Sequence, residues 1–376
     1  MKVAIIGSSI AGASAALLLA GHANVSVYEQ KAKKDLGKKT CLNNVTGSFL
    51  EYARKLGLKS EKYIRSISNR AIIKSESNEI KFKTKEFKID RQKFLDDLID
   101  KAEKKGAKFY FNVNFSSTRM ISHSGCPKNA GHFFGFEKTK KFKISLKKGN
   151  KKINVYADVL IGADGAMSKV AEQLGIKKRL YLILQKEVSL SKLKLKIEKN
   201  TYYVYVGKKY GYFSYIFPYR GKAIIGFADK TEKANSDFRR LLKELRLDSK
   251  NLGAALVPEP KVIKQKNNLF LIGDAGCNTK FSGGGIVPGM IAAFAARDAI
   301  LHKDYRGFKK LNSKIRLNRL IFKAVKKMKD KDFDYLLEVL KNKKFSGLLE
   351  KRDKFGKSDY MKALDLRFLR FFPKLL

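Results

Sequence analysis

The 376-residue sequence predicts a mixed α/β fold (α+β mixed), with a Rossmann-like parallel-sheet lobe, an antiparallel-sheet lobe inserted into it and a helical C-terminal region. Three observations carry that prediction. A strand–turn–helix–strand unit opens the chain at residues 3–29. Two later apolar strands, ending at Ile161 and Ile272, run straight into glycine-rich turns and then helices. Between them lie two aromatic-rich stretches, 202–206 and 210–218, which suit the pleated, half-buried surface of a sheet. On this reading residues 1–175 and 257–305 form a discontinuous first domain and 176–256 the inserted one. Part of 40–90 can join the inserted side, and 306–376 is the basic helical C-terminal region.

Taken in order, Val3-Ala-Ile-Ile-Gly7 reads as a short buried strand, Gly7-Ser8-Ser9-Ile10-Ala11-Gly12 as a turn, and residues 13–20 as a helix. Residues 25–29 form a second strand that ends in the carboxylate of Glu29. This is the dinucleotide fingerprint. Its glycines permit a tight turn and close helix–strand packing, a pyrophosphate rests on the helix N-terminus, and the acid accepts from ribose hydroxyls. Gly7, Ser9, Ala11, Gly12 and Glu29 are therefore cofactor-binding candidates. Ser9 stands where the second glycine is expected, and its Cβ narrows the approach of the pyrophosphate.

Residues 38–44 form a polar loop around Cys41. A thiol among lysines can carry a lowered pKa and some reactivity; a bystander cysteine fits the spacing equally well. Residues 87–90 lead from a strand into a helix whose Phe94 and Leu98 share one face, with Asp90 suited to the N-cap. Arg91, at that helix start, can meet either a cofactor phosphate or a neighbouring carboxylate. Residues 106–111 are the next strand. The stretch 116–152 is polar and rich in Ser, Gly and Lys, which predicts hairpin connections rather than core. Residues 156–161 are another buried strand, entering Gly162-Ala163-Asp164-Gly165 and a helix that begins near Ser168.

The strands of 177–256 suggest an antiparallel sheet with a bulky face, either the wall of a large apolar site or a surface packed on a helix. After the apolar run 268–273 comes a glycine-rich loop that ends in Gly283-Gly284-Gly285. Glycines there leave backbone N–H groups uncovered, and Pro288 suits the first turn of the helix that follows. The partial positive charge of a helix N-terminus favours an anion, or a ring that becomes anionic. From residue 306 the pattern is helical and basic. In the last segment Leu366, Leu369 and Phe372 share one stripe and Arg367, Arg370 and Lys374 another. Such a tail either lies in a membrane interface or docks on the body.

Composition narrows the class. Lys+Arg number 81 against 35 Asp+Glu, a net charge of +46. That surface attracts anions, whether nucleic acid, an anionic membrane or phosphorylated substrates, or else reflects a lysine-rich composition. Three widely spaced cysteines fit a reducing cytoplasm rather than a disulfide framework or zinc cluster. With four histidines and no His-x-x-x-His pair, no metal site is expected. No apolar run reaches the roughly 18–20 residues needed to span a bilayer. The expected location is the cytoplasm, free or peripheral on the inner face of the cell membrane.

Three stretches in this order, the N-terminal fingerprint, Gly162-Ala-Asp-Gly165 and Gly273-Asp274, together resemble FAD-dependent oxidoreductases with the fold of aromatic hydroxylases. More narrowly, Gly273-Asp-Ala-Gly276 followed by Phe281-Ser-Gly-Gly-Gly-Ile286 is similar to the geranylgeranyl reductase family, of the archaeal digeranylgeranylglycerophospholipid reductase type. So is Phe213-Ser-Tyr-Ile-Phe-Pro218 followed by Gly226-Phe-Ala228. Tyr215 stands where that family usually has tryptophan, and Ala228 replaces a second glycine. Cys41 corresponds to the family's loop cysteine without the glycines that usually follow it.

The resemblance implies bound FAD, with Asp274, next to Gly273, at the ribitol, Asp164 and Gly165 along the cofactor channel, and Gly283, Gly284, Gly285 and Ile286 at the isoalloxazine edge. It implies substrate contacts from Phe213, Tyr215, Phe217, Pro218 and Gly226, and a catalytic role for Cys41 or Tyr215. The activity implied is saturation of C=C bonds in geranylgeranyl chains, either a free diphosphate or an archaeal-type membrane ether lipid. Since no second full dinucleotide fingerprint is present, reduced ferredoxin or transiently docked NAD(P)H is the expected donor. An FAD-dependent monooxygenase of the aromatic-hydroxylase type is the alternative. A basic RNA-binding flavoprotein is the remote one, and without an RNA-binding motif no specific nucleic acid is expected.

Overall fold

The computed structural model describes residues 1–122, 140–265 and 268–341. The opening unit folds as strand β1 (Lys2–Ile6), helix α1 (Ile10–Leu19) and strand β2 (Asn24–Tyr28). With β6 (Lys108–Tyr110), β10 (Val159–Gly162) and β16 (Leu269–Leu271) these strands make a five-stranded sheet in the order β16-β10-β1-β2-β6. Every pairing in it is parallel, which explains the uninterrupted apolar runs: strands covered on both faces need no polar alternation.

One face is covered by α1, α3 (Arg91–Lys104) and the long α6 (Ile286–His302). These helices sit close because α1 and α6 present small residues. A Cβ at Gly289 would lie 3.3 Å from that of Ala11. The other face is covered by a three-stranded antiparallel sheet, β7 (Asn114–Ser122), β8 (Lys140–Lys148) and β9 (Lys151–Ala157). Hairpins were expected here, but not core, and that expectation is corrected. Phe142, Ile144 and Leu146 of β8 are buried against Ala4, Leu160 and Leu271. Lysines interleave them along the strand and mask an alternating core pattern.

The second large sheet has eight strands in the order β15-β11-β14-β13-β12-β4-β5-β3. Five come from 176–258: β11 (Leu180–Ser189), β12 (Thr201–Tyr205), β13 (Phe213–Tyr219), β14 (Lys222–Asp229) and β15 (Gly253–Pro258). The others, β3 (Asn44–Thr46), β4 (Ile64–Lys74) and β5 (Glu79–Ile89), come from the 40–90 segment and flank helix α2 (Gly47–Lys55). The sheet is mixed rather than wholly antiparallel, because β12 joins β4 in parallel. Its faces follow the two-residue period of a strand. Ile216, Ile225 and Phe227 turn toward α5 (Thr231–Glu244), where Phe227 stacks on Phe238. Phe213, Tyr215 and Phe217 turn the other way, toward α7 (Arg306–Lys327).

The short helix α4 (Lys169–Gln173) begins at Ser168, whose hydroxyl accepts from the Ala171 N–H. Helices α7 and α8 (Asp330–Lys341) lie across the second sheet, with Phe322 packed against Tyr181 and Tyr212. Among the described residues no helix is long and apolar enough to cross a membrane. The amphipathic segment 366–376 lies outside the described residues.

Candidate functional site

The first turn is built by steric necessity. Gly7 has φ +98°, and a Cβ there would come 2.4 Å from the Ala163 carbonyl oxygen. A Cβ on Gly12 would strike the Gly7 carbonyl oxygen, so Gly12 works beneath the turn by letting α1 approach β1. Glu29 closes the unit. One of its carboxylate oxygens accepts from the Ser8 N–H at 2.8 Å and the other from the Lys31 N–H at 2.9 Å. Ser9, in place of a glycine, turns its hydroxyl to accept from Arg91 at 3.1 Å, which ties the start of α3 to the start of α1.

The glycine-rich loop meets this turn from the other side. Gly283, at φ +82°, lies against the Tyr181 hydroxyl, which a Cβ there would approach to 2.9 Å, and Gly285 caps α6, where a Cβ would lie 2.8 Å from Asp274 Oδ1. Asp274 is ion-paired with Lys39 at 3.1 Å, a partner that only the fold brings near. Asp164 carries a structural task besides its place on the cavity. Its carboxylate accepts from the Ser168 hydroxyl and from the Val170 N–H, so it braces α4, and burial raises its pKa above the usual carboxylate value. It still borders the cavity with Gly165.

These loops open into one cavity of about 1380 Å³. Single small-molecule pockets run to roughly 300–1,000 Å³, so this one has room for a cofactor and a further ligand. Its polar end is lined by Gly7, Ser9, Ala11, Glu29, Arg91 and the 273–286 loop. Beyond Cys41 the lining becomes aromatic and then aliphatic: Phe213, Tyr215 and Phe217, then Val206, Met328, Leu337 and Leu340. Leu337 and Leu340 belong to α8 and Met328 directly follows α7, two helices not expected at the site from the sequence.

The substrate-side candidates divide by strand parity. Phe213, Tyr215 and Phe217 line the cavity, whereas Pro218 falls on the opposite face of β13 and does not. Gly226 is not on the wall either. It is the register partner of both Tyr215 and Gln185 on the strands beside it. Having no side chain, it lets Gln185 Nε2 donate to the Tyr215 hydroxyl across it. Burial raises the Tyr215 pKa. Cys41 is half-buried on the wall, its sulfur accepting from the Asn43 N–H at 3.4 Å. Behind it Lys88, 8% exposed, donates to the Leu42 carbonyl at 2.9 Å and lies over the Tyr219 ring; burial pulls its pKa down to about 8.

The polar end fits a dinucleotide. Arg91 Nε is buried with no partner among the described residues, and the N-terminus of α1 has no side-chain cap. Both are donors waiting on an anion. Among the described residues no group of His, Cys, Asp or Glu is arranged to hold a metal.

A parallel sheet with this turn, an anion-ready helix start and a second glycine cradle define an FAD-dependent oxidoreductase. Residues 1–245 match the FAD binding domain family, and the chain belongs to it. Over 141 residues it is 33% identical to the chloroplastic geranylgeranyl diphosphate reductase of Nicotiana tabacum, a match spanning 34% of this chain and 30% of that protein. The chain thus covers less than a third of that relative's length. A geranylgeranyl bacteriochlorophyll reductase-like protein from Thermoplasma acidophilum superposes with a TM-score of 0.75 at 18% identity, over 100% of this chain and 98% of that one. A probable FAD-dependent monooxygenase from Pseudomonas aeruginosa gives 0.63 at 15% identity, over 93% and 99%. At those identities the two structures carry the fold alone.

Proposed function

We propose that the protein is an FAD-dependent reductase that saturates C=C bonds of geranylgeranyl chains, carried by archaeal-type ether lipids or by the free diphosphate. The observation that supports this most is the continuity of the cavity. A dinucleotide cradle at one end passes without a break into an aromatic and then aliphatic tunnel, which suits a long hydrocarbon and not a small polar ring.

Bound FAD supplies two-electron storage and hydride transfer. The chain's own groups do the rest. Arg91 and the start of α1 hold the phosphates. The start of α6, at Gly285 and Ile286, would favour negative charge on a ring bound beside it. An isolated alkene has no carbonyl to polarise, so protonation builds cationic character on carbon. The faces of Phe213, Tyr215 and Phe217 stabilise it by cation–π attraction, and the aliphatic lining keeps water away from it. Reduced ferredoxin or NAD(P)H is the proposed donor. The net charge of +46 supports peripheral contact with an anionic membrane, where an anionic lipid substrate resides.

The test is anaerobic incubation of the FAD-loaded protein with a geranylgeranyl ether lipid and excess reductant, followed by mass spectrometry. Mass gains in steps of two hydrogens are expected. Unchanged lipid, together with aerobic oxygen consumption coupled to a hydroxylated product, would replace this reading with the monooxygenase one.

A further inference from the structure

The aromatic part of the cavity wall contains one carboxyl that the account above leaves unused. Glu86, on β5, is 8% exposed and lines the cavity with Phe82 and Tyr202. Asn44 Nδ2 donates to one of its oxygens, and the Tyr202 hydroxyl donates to the other at 3.1 Å. Three strands therefore converge on it: β3 through Asn44, β12 through Tyr202, and its own. Its register partner on β3 is Thr46, two residues past Asn44 on the strand that leaves the Cys41 loop.

The surroundings give this carboxyl a chemical setting. The Tyr202 ring stacks on Phe217 with centroids 5.7 Å apart, so a single tyrosine joins the carboxyl to the face that would stabilise a carbocation. Asn44 Oδ1 and Thr46 Oγ1, on the strand that pairs with that of Glu86, are buried without partners among the described residues. Asn44 and Tyr202 both donate to this carboxyl, which stabilises the carboxylate that remains once a proton has been given up. A purely structural link between these strands would be served as well by a neutral amide. A carboxyl held in an apolar cleft is the usual mark of acid–base work.

We propose that Glu86 is the acid that protonates the substrate alkene, with Asn44 and Tyr202 positioning its carboxyl; the inference rests on the C=C reductase reading. The Glu86 O–H bond breaks as a C–H bond forms at one alkene carbon. The second hydrogen, with its electron pair, would be supplied to the other carbon by the reduced FAD that the cradle would hold. The alkene gains two electrons and two hydrogens, and the Glu86 carboxylate recovers its proton from solvent. In Cys41 and Tyr215, the two acids the sequence suggested, the thiol sulfur and the phenol oxygen each accept a hydrogen bond and keep their own protons; their variants are the controls for Glu86→Gln.

The experiment compares the wild type, Glu86→Gln and Glu86→Asp, each loaded with FAD, on a geranylgeranyl ether lipid with dithionite as reductant. Glu86→Gln should keep the FAD absorbance, the melting temperature and the rate of cofactor reduction, yet lose saturation by about 100-fold or more. Glu86→Asp should recover part of that loss. In the wild type the rate should fall as pH rises through the acid's pKa, and that limb should be absent from Glu86→Gln. Infrared difference spectra of the protein without substrate should show a protonated-carboxyl band that Glu86→Gln lacks. Saturation by Glu86→Gln close to wild type with an unchanged pH profile, or no such band, overturns the proposal. A wild type that saturates nothing removes the reductase reading and the proposal with it.

Discussion

Replacing Gly226 by alanine tests the cross-strand row Gln185–Gly226–Tyr215. A Cβ at Gly226 would sit 1.9 Å from the Tyr215 ring carbon Cζ, where ordinary contact begins near 3.4 Å. The ring must therefore retreat by about 1.5 Å, the difference of those two distances. Tyr215 is 9% exposed and stacked with Phe213, so it has only the cavity to move into, and the Gln185 hydrogen bond breaks as it goes. Overpacking a core position costs about 1–3 kcal/mol, and a lost buried hydrogen bond about 1 kcal/mol more. For a chain of this size that lowers the melting temperature by on the order of 2–10 °C. The assay is a double-mutant cycle read by denaturant unfolding of the FAD-free protein. Tyr215→Leu removes the clashing carbon, so Gly226→Ala should cost much less on that background, with a coupling energy of about 1 kcal/mol or more. Equal costs of Gly226→Ala on both backgrounds would refute the argument that this glycine exists to seat Tyr215.

The other predictions concern charge. Arg91→Ala removes the half-buried guanidinium at the start of α3, whose Nε is buried without a partner among the described residues. It should weaken FAD binding by about 1.5–3 kcal/mol, roughly 10- to 100-fold in Kd by fluorescence titration; unchanged affinity would move the phosphate elsewhere. Burial depresses the Lys88 pKa from 10.5 to about 8. Between those values the unfolded chain binds the extra proton, so this group makes stability rise with pH, by at most about 3 kcal/mol from pH 8 to 10.5. Lys88→Met should lack that rise in denaturant melts taken across the same range; parallel pH curves for the two proteins would refute it.

The parts of this fold that a reader of the sequence can see are those where one segment carries the whole physical reason. Gly12 is demanded by a contact inside a single β–α–β unit, the Gly7 carbonyl, and Gly283 to Gly285 stand directly before the helix they start. Gly7 is legible from the turn it makes, although the Ala163 carbonyl that a side chain there would strike directly follows β10. Parity also fixes which aromatics face together: Phe213, Tyr215 and Phe217 alternate along one strand. Where the reason lies in another segment, the sequence was silent. Lys39 meets Asp274 across 235 positions of chain, and β12 pairs with β4 in parallel because an inserted lobe returns to a strand laid down long before. Helices α7 and α8 show apolar stripes, yet nothing in a stripe says that it faces a cavity instead of a neighbour. Gly226 was misread for the same reason, since a missing side chain serves whichever residues sit on the adjoining strands.

Glu86 falls between these cases. Along Ile80-Lys-Phe-Lys-Thr-Lys-Glu86 the lysines at 81, 83 and 85 are exposed while Ile80, Phe82 and Glu86 are buried. A two-residue period with lysine on the outer face places the glutamate on the inner one. An inward carboxylate, followed two residues on by the buried Lys88, breaks the apolar pattern that Ile80 and Phe82 begin, and such departures concentrate where function outweighs stability. The sequence therefore marks Glu86 as anomalous, and only the fold, by setting Tyr202 and Asn44 around it, gives the anomaly a chemical purpose.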